Sequence, residues 1–120
     1  MVESAMVLLV FAVLLAGIME LGFTTLISNS VSFAAQRAAR YASVRGAGSG
    51  HPAQTSDIQA IAQSYAAPLN PGGLTVNVTW TPNNSPGSTV LVTVSYGIKM
   101  LPISSSKITF TGKALQTIAQ

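Results

Sequence analysis

The 120-residue chain is 48% hydrophobic and only 8% charged, where ordinary soluble domains carry about 25% charged residues. Its net charge of +3 comes from six scattered bases, Arg37, Arg40, Arg45, Lys99, Lys107 and Lys113, too thin for the basic stripe of a nucleic-acid binder. It has no cysteine, which excludes a disulfide framework and thiolate chemistry. One domain is expected at this length, and so much apolar surface needs lipid or other copies of the chain to cover it.

Residues 4–19 carry no charge, Glu20 interrupts, and residues 21–36 are again uncharged. As a helix, residues 4–36 would run about 50 Å, more than the roughly 30 Å hydrocarbon core of a bilayer. The pattern then changes character. Ser28, Ser32, Gln36 and Arg40 recur every four residues as a polar stripe, opposite Ile27, Val31, Ala34, Ala35, Ala38, Tyr41 and Ala42. This periodicity predicts one helix from about Val2 to about Arg45, apolar all round below and two-faced above. Gly17 and Gly22 are its weak points for a bend, and GAGSG at residues 46–50 is the first strong breaker. A cleavable secretory signal would begin with basic residues and end at a small-residue site; here Met-Val-Glu opens the run and the helical pattern continues past it. A plain single-pass anchor fits the length as well.

A carboxylate inside a membrane helix is expensive, so Glu3 and Glu20 are candidates for function. Glu3 sits where the helix dipole favours an anion; the sharper expectation is that it meets the N-terminal ammonium of a neighbouring chain. Glu20 lies about 26 Å further along the helix, where the plain reading is an acid at the far interface. Glu3, Glu20 and Arg37 are spaced evenly, seventeen residues apart. A copy displaced by that distance brings its Glu20 level with Arg37, and Arg40 lies one turn higher.

The remainder reads as a small head. Ser56 and Gln59 form an S-x-x-Q capping box, which predicts a short helix from about Asp57 to Ala67, its apolar face made by Ile58, Ile61, Ala62 and Tyr65. Pro68 and Asn70-Pro71-Gly72-Gly73 end it. Leu74, Val76, Val78 and Trp80 alternate with threonines and Asn77. Val90, Val92, Val94, Tyr96 and Ile98 alternate again, as do Ile108 and Phe110, with a bulge expected at Gly112. Turns at residues 82–87 and 102–106 separate strands near 74–81, 89–99 and 107–117, an antiparallel meander. The fold class is therefore α+β: a long N-terminal helix, a short second helix and a three-stranded antiparallel sheet packed on the long helix's C-terminal half. The division falls near residue 45, with the helix as 1–45 and the head as 46–120.

No catalytic constellation is legible, and the chain is read as a non-enzyme without cofactor. The single histidine, His51, sits in a Gly/Pro linker without companion ligands for a metal. GAGSG lacks the lysine and preceding strand of a phosphate loop. Asn77-Val-Thr79 and Asn83-Asn-Ser85 fit the glycosylation pattern. Trp80 and Tyr96 alternate with valines, which favours core over an exposed binding patch.

Taken together, these residues resemble the TadE-like pilin family within the wider type IV pilin-like group. VESAMVLLVFAVLLAGIMELGF looks like that family's VEFALVLPLLLLLLFGIIEFG pattern, with Glu3 and Glu20 at its two acids. VLVTVSYGIKMLPISSSKITFTGKALQTIA looks like its closing hairpin. Ser4 stands where the family often has an aromatic, and the first acid is third rather than fifth, which bears on where processing occurs. The resemblance implies a membrane-inserted subunit whose first 25 or so residues become a filament core at the cell surface. It also implies an inner-membrane platform protein, a prepilin peptidase and an assembly ATPase as partners. The expected assembly residues are Glu3, Glu20, Arg37 and Arg40 with Leu8, Phe11, Ala12, Ala16 and Gly17. A minor pseudopilin, or a membrane-anchored adhesion module acting as a monomer, is the competing expectation.

Overall fold

The computed structural model describes residues 1–66, 69, 73–99 and 107–119. The expected breaker at Pro68 and Asn70-Pro71-Gly72 and the expected loop at 102–106 lie outside them. The fold is α+β, with α1 (Val2–Ser43), α2 (Thr55–Tyr65), β1 (Leu74–Thr81), β2 (Thr89–Lys99) and β3 (Lys107–Thr117) in chain order. The chain measures 73 × 22 × 20 Å, because the lower half of α1 projects beyond everything else.

α1 is one unbroken α-helix through Gly17 and Gly22. Glu3 in its first turn and Arg40 in its last both complement the helix dipole. Its upper half buries Ile27, Val31, Ala34, Ala35, Ala38 and Ala42, the expected apolar stripe, widened by Ala39 and Ser43. The alanines let the helix axis come close to the sheet and to α2. The polar stripe needs one correction. Ser28, Gln36 and Arg40 are exposed, but Ser32 is half-buried because β3 runs over it.

The sheet has the order β1-β2-β3, antiparallel throughout. One face carries Val76, Val90, Val92, Val94 and Ala114, all buried. Trp80 and Tyr96 are half-buried against the same core, on the inner face. The outer face exposes Thr75, Asn77, Thr79, Thr81, Thr109 and Thr111. Leu115, 63% exposed, and half-buried Leu91 opposite it are apolar residues on this face.

Gly112 does not mark a bulge. The β2–β3 register is continuous, with Val94 opposite Gly112 and pairs in step from Thr89↔Thr117 to Lys99↔Lys107. The glycine is needed for contact instead. A Cβ there would lie 2.8 Å from both the N and Cα of Ser32 and 2.9 Å from the carbonyl carbon of Val31. Strand and helix backbones touch at this point, and only the residue without a side chain permits it.

α2 also starts earlier than its sequence suggests. Its N-cap is Gln54, not Ser56, and the Gln54 N–H donates to the Asp57 carboxylate at 3.1 Å. A carboxylate is a stronger acceptor than the Gln59 amide, so the helix takes the frame that puts Asp57 at its third position. Gln59 serves elsewhere: its Nε2 donates to the Val76 carbonyl at 3.3 Å and so occupies an edge group of β1 that would otherwise stay open. Asp57→Ala should therefore cost about 0.5–2 kcal/mol, the range for losing a helix cap, seen as a lowered melting temperature by circular dichroism.

The end of the head away from the apolar helix half is stitched by backbone hydrogen bonds. Ala119 donates to the Ser43 carbonyl at 2.8 Å, Ile118 to Ser88 at 2.8 Å, Ala47 to Asn84 at 2.7 Å and Ala53 to Arg45 at 2.8 Å. Asn83 Oδ1 accepts from the Ser85 N–H at 2.9 Å and the Ser88 hydroxyl at 3.0 Å. These bonds hold the C-terminus, the β1–β2 turn and the segment after α1 together, so the upper helix cannot pivot on the sheet.

Candidate assembly surface

Below Ile27 the helix has almost no cover. Leu8, Leu9, Phe11, Val13, Leu14 and Ile18 are each around two-thirds exposed or somewhat less, and Ala12, Ala16 and Gly17 lie among them, also exposed. An 18-residue window of this helix has a mean hydropathy of 2.5 with none of it buried, which makes α1 long and apolar enough to cross a membrane. Among the described residues no atom outside the helix's own nearby backbone comes within 4 Å of where a Cβ would sit on Gly17 or Gly22, so these glycines leave open space beside the helix.

Glu3 and Glu20 are exposed on this half. Arg37 and Arg40 stand on the other half, Arg37 about 26 Å of helix beyond Glu20. The structure of a single copy thus keeps the expected acids and bases apart along one rod.

Around the arginines the chain builds a more defined feature. Phe33, Gln36, Arg37 and Arg40, on one side of α1, line an open groove of ≈ 320 Å³ together with Gln116 of β3. The Phe33 and Tyr65 rings meet edge-to-face at 5.5 Å. The Arg37 guanidinium carbon lies 4.9 Å from the Phe33 centroid and 5.6 Å from that of Tyr65. Cation–π attraction of this kind contributes about 0.5–1 kcal/mol at exposed sites, which favours this placement of the guanidinium. Arg45 lies in the same way over Tyr41, at 4.8 Å. Phe33 and Gln116 were not among the residues singled out from the sequence, and Tyr65 was read there only as part of the apolar face of α2, from which it stands 43% exposed. Phe33 had a signal, being four residues before Arg37 and so its neighbour on a helix. Tyr65 and Gln116 had none, since only the packing of α2 and β3 brings them there.

His51 is exposed, and Asp57 is engaged at the start of α2. Among the described residues no three His, Asp or Glu side chains gather as metal ligands do. What the surface offers is a bare apolar rod bearing two acids, and an aromatic–arginine groove further up the same rod.

Residues 1–40 match the family described as TadE-like protein. The match covers α1 almost to its end and stops short of the head. That family is one of pilin-like Tad pilus proteins, structural rather than enzymatic, and the apolar N-terminal helix that defines the matched region is the one seen here. Comparison with curated proteins and with solved structures gives no match. The TadE-like segment therefore contains the bare rod, both of its acids, and the helical side of the arginine groove.

Proposed function

We propose that this chain is a pilin-like structural subunit that self-assembles through its apolar N-terminal helix into an extracellular filament. The observation that carries this reading is the lower half of α1, which apart from Glu3 and Glu20 is apolar around its circumference and which nothing among the described residues buries. Each large side chain moved from water into a packed environment gains roughly 1.5–3 kcal/mol. A run of this size therefore stays in lipid until other copies replace the lipid. Leu8 and Phe11 supply bulk for that contact, and Ala12, Ala16 and Gly17 let neighbouring helices approach closely. In this reading α1 and the head, divided near residue 45, have separate tasks: the helix anchors in the inner membrane and then forms the filament core, and the head makes the outer wall. A prepilin peptidase, a platform protein and an assembly ATPase are the partners that the pilin-like character implies.

The threonine-rich outer face of the sheet favours a second reading, in which the chain stays anchored and presents that face for adhesion. Surface material sheared from cells expressing the full chain separates the two. Helical filaments made of this chain are the expected result. Protein recovered only as detergent-soluble monomer, with no filaments in the sheared fraction, would favour the anchored module.

A further inference from the structure

The exposed side of α1 carries a repeat that the head leaves open. Phe23, Leu26, Phe33, Arg37, Arg40 and Val44 are all exposed, and with half-exposed Ser30 they follow an alternating three–four spacing. The same spacing continues downward through Met19, Ala16, Ala12 and Leu9. This is the heptad seam along which helices pack knobs into holes. Between Leu9 and Val44 its only charged members are Arg37 and Arg40. Covering two guanidinium groups with an apolar helix would leave them desolvated and unpaired, which strongly disfavours that contact, so whatever lies on this seam must bring a carboxylate.

We infer that the seam receives the lower helix of a second copy, shifted by seventeen residues, with that copy's Glu20 seated in the groove at Arg37 and Arg40. Three features of the molecule select this occupant. Glu20 flanks the seam next to Met19, the position from which heptad helices form interhelical ion pairs. The shift of about 26 Å lays residues 2–26 of the upper copy along residues 19–43 of the lower one, so that one side of the bare rod is covered along its full length, up to the end of α1 at Ser43. It also sets the small Ala16 beside Phe33, so a small residue meets a large one. The Phe33 and Tyr65 rings favour the placement of Arg37 beside the groove, and Gln116 adds a polar wall to it. A lipid headgroup does not fit, because with Glu20 at the membrane surface Arg37 stands about 26 Å above it.

The inference rests on the filament reading and adds a register to it. Its test uses the absence of cysteine from the chain. Met19→Cys and Gln36→Cys introduced together into the full membrane-expressed chain, then treated with a short bis-maleimide, should give a ladder of multimers, because each copy then links once upward and once downward. Each single variant should stay monomeric. Glu20→Lys in the double-cysteine background should remove the ladder, and adding Arg37→Glu with Arg40→Glu should restore it. Dimers from Met19→Cys alone, with no ladder from the pair, would show helices in register and overturn the stagger while leaving assembly intact. A ladder that survives Glu20→Lys would overturn the charge pairing. Filaments present without any cross-link overturn the register; no cross-link and no filaments overturn the assembly reading itself.

Discussion

Gly112→Val should melt the head far below the unsubstituted chain. The new Cβ would lie within 2.9 Å of three backbone atoms of α1, belonging to Val31 and Ser32. A side chain can rotate away from such a clash; a helix backbone cannot. Relief requires β3 to lift off α1, and β3 also carries Ala114 against the core and leads into buried Ile118. Overpacking of a core typically costs about 1–3 kcal/mol, and a backbone-on-backbone contact belongs at or above the upper end of that range. For a domain of this size 1 kcal/mol moves the midpoint by about 4–8 °C, so a fall of at least about 12 °C is expected in detergent-solubilised protein followed by circular dichroism. Gly112→Ala should move the same way, by less. Gly17→Ala is the control: its Cβ would meet nothing, and glycine inside a helix is worse than alanine by roughly 0.5–1 kcal/mol, so stability should hold or rise. A Gly112→Val chain melting like the unsubstituted one would show that the helix–strand contact does not matter.

Ala12→Phe combined with Ala16→Phe should reverse that pattern, leaving the folded head untouched and abolishing filaments. Both alanines lie on the part of α1 that a single copy leaves bare, so no contact within one chain is lost, and two added aromatic rings favour membrane insertion. Helix packing in such segments depends on small residues that let backbones approach. Two bulky rings one turn apart push the neighbouring helix outward and open gaps beside every adjacent side chain. Filament yield in the sheared fraction should drop at least about tenfold, since the loss of even 1.4 kcal/mol per contact is a tenfold change and each subunit makes the contact more than once. Membrane extraction and head melting should be unchanged. Normal filaments from the double variant would mean that this face of the helix does not pack against other copies.

The two substitutions act on different levels of the protein, and those levels were unequally legible from its sequence. The elements were set by local periodicity. An apolar run that turns into a four-residue stripe after Ile27 can only be one helix with a free half and a packed half, and strict alternation from Leu74 and from Thr89 puts valines on one face of a sheet and threonines on the other. These signals are read over a few neighbours, so they survive without knowledge of the fold. The two acids in the apolar run were likewise visible, because charge in such a segment is costly wherever the chain goes. The start of α2 was less accessible, since Ser56 with Gln59 and Gln54 with Asp57 are both capping frames, and the choice went to the carboxylate as the stronger acceptor. Gly112 was visible as an anomaly but its cause was not: a bulge and a close approach both demand glycine, and only the crossing of β3 over Val31 and Ser32 distinguishes them. The arginine groove depended on tertiary structure most of all. Arg37 and Phe33 share a helix side by spacing, but Tyr65 and Gln116 reach them from α2 and β3, twenty-eight and seventy-nine residues from Arg37 in the chain, and no local pattern encodes a meeting between side chains whose distance is set by how the sheet and the second helix pack on the first.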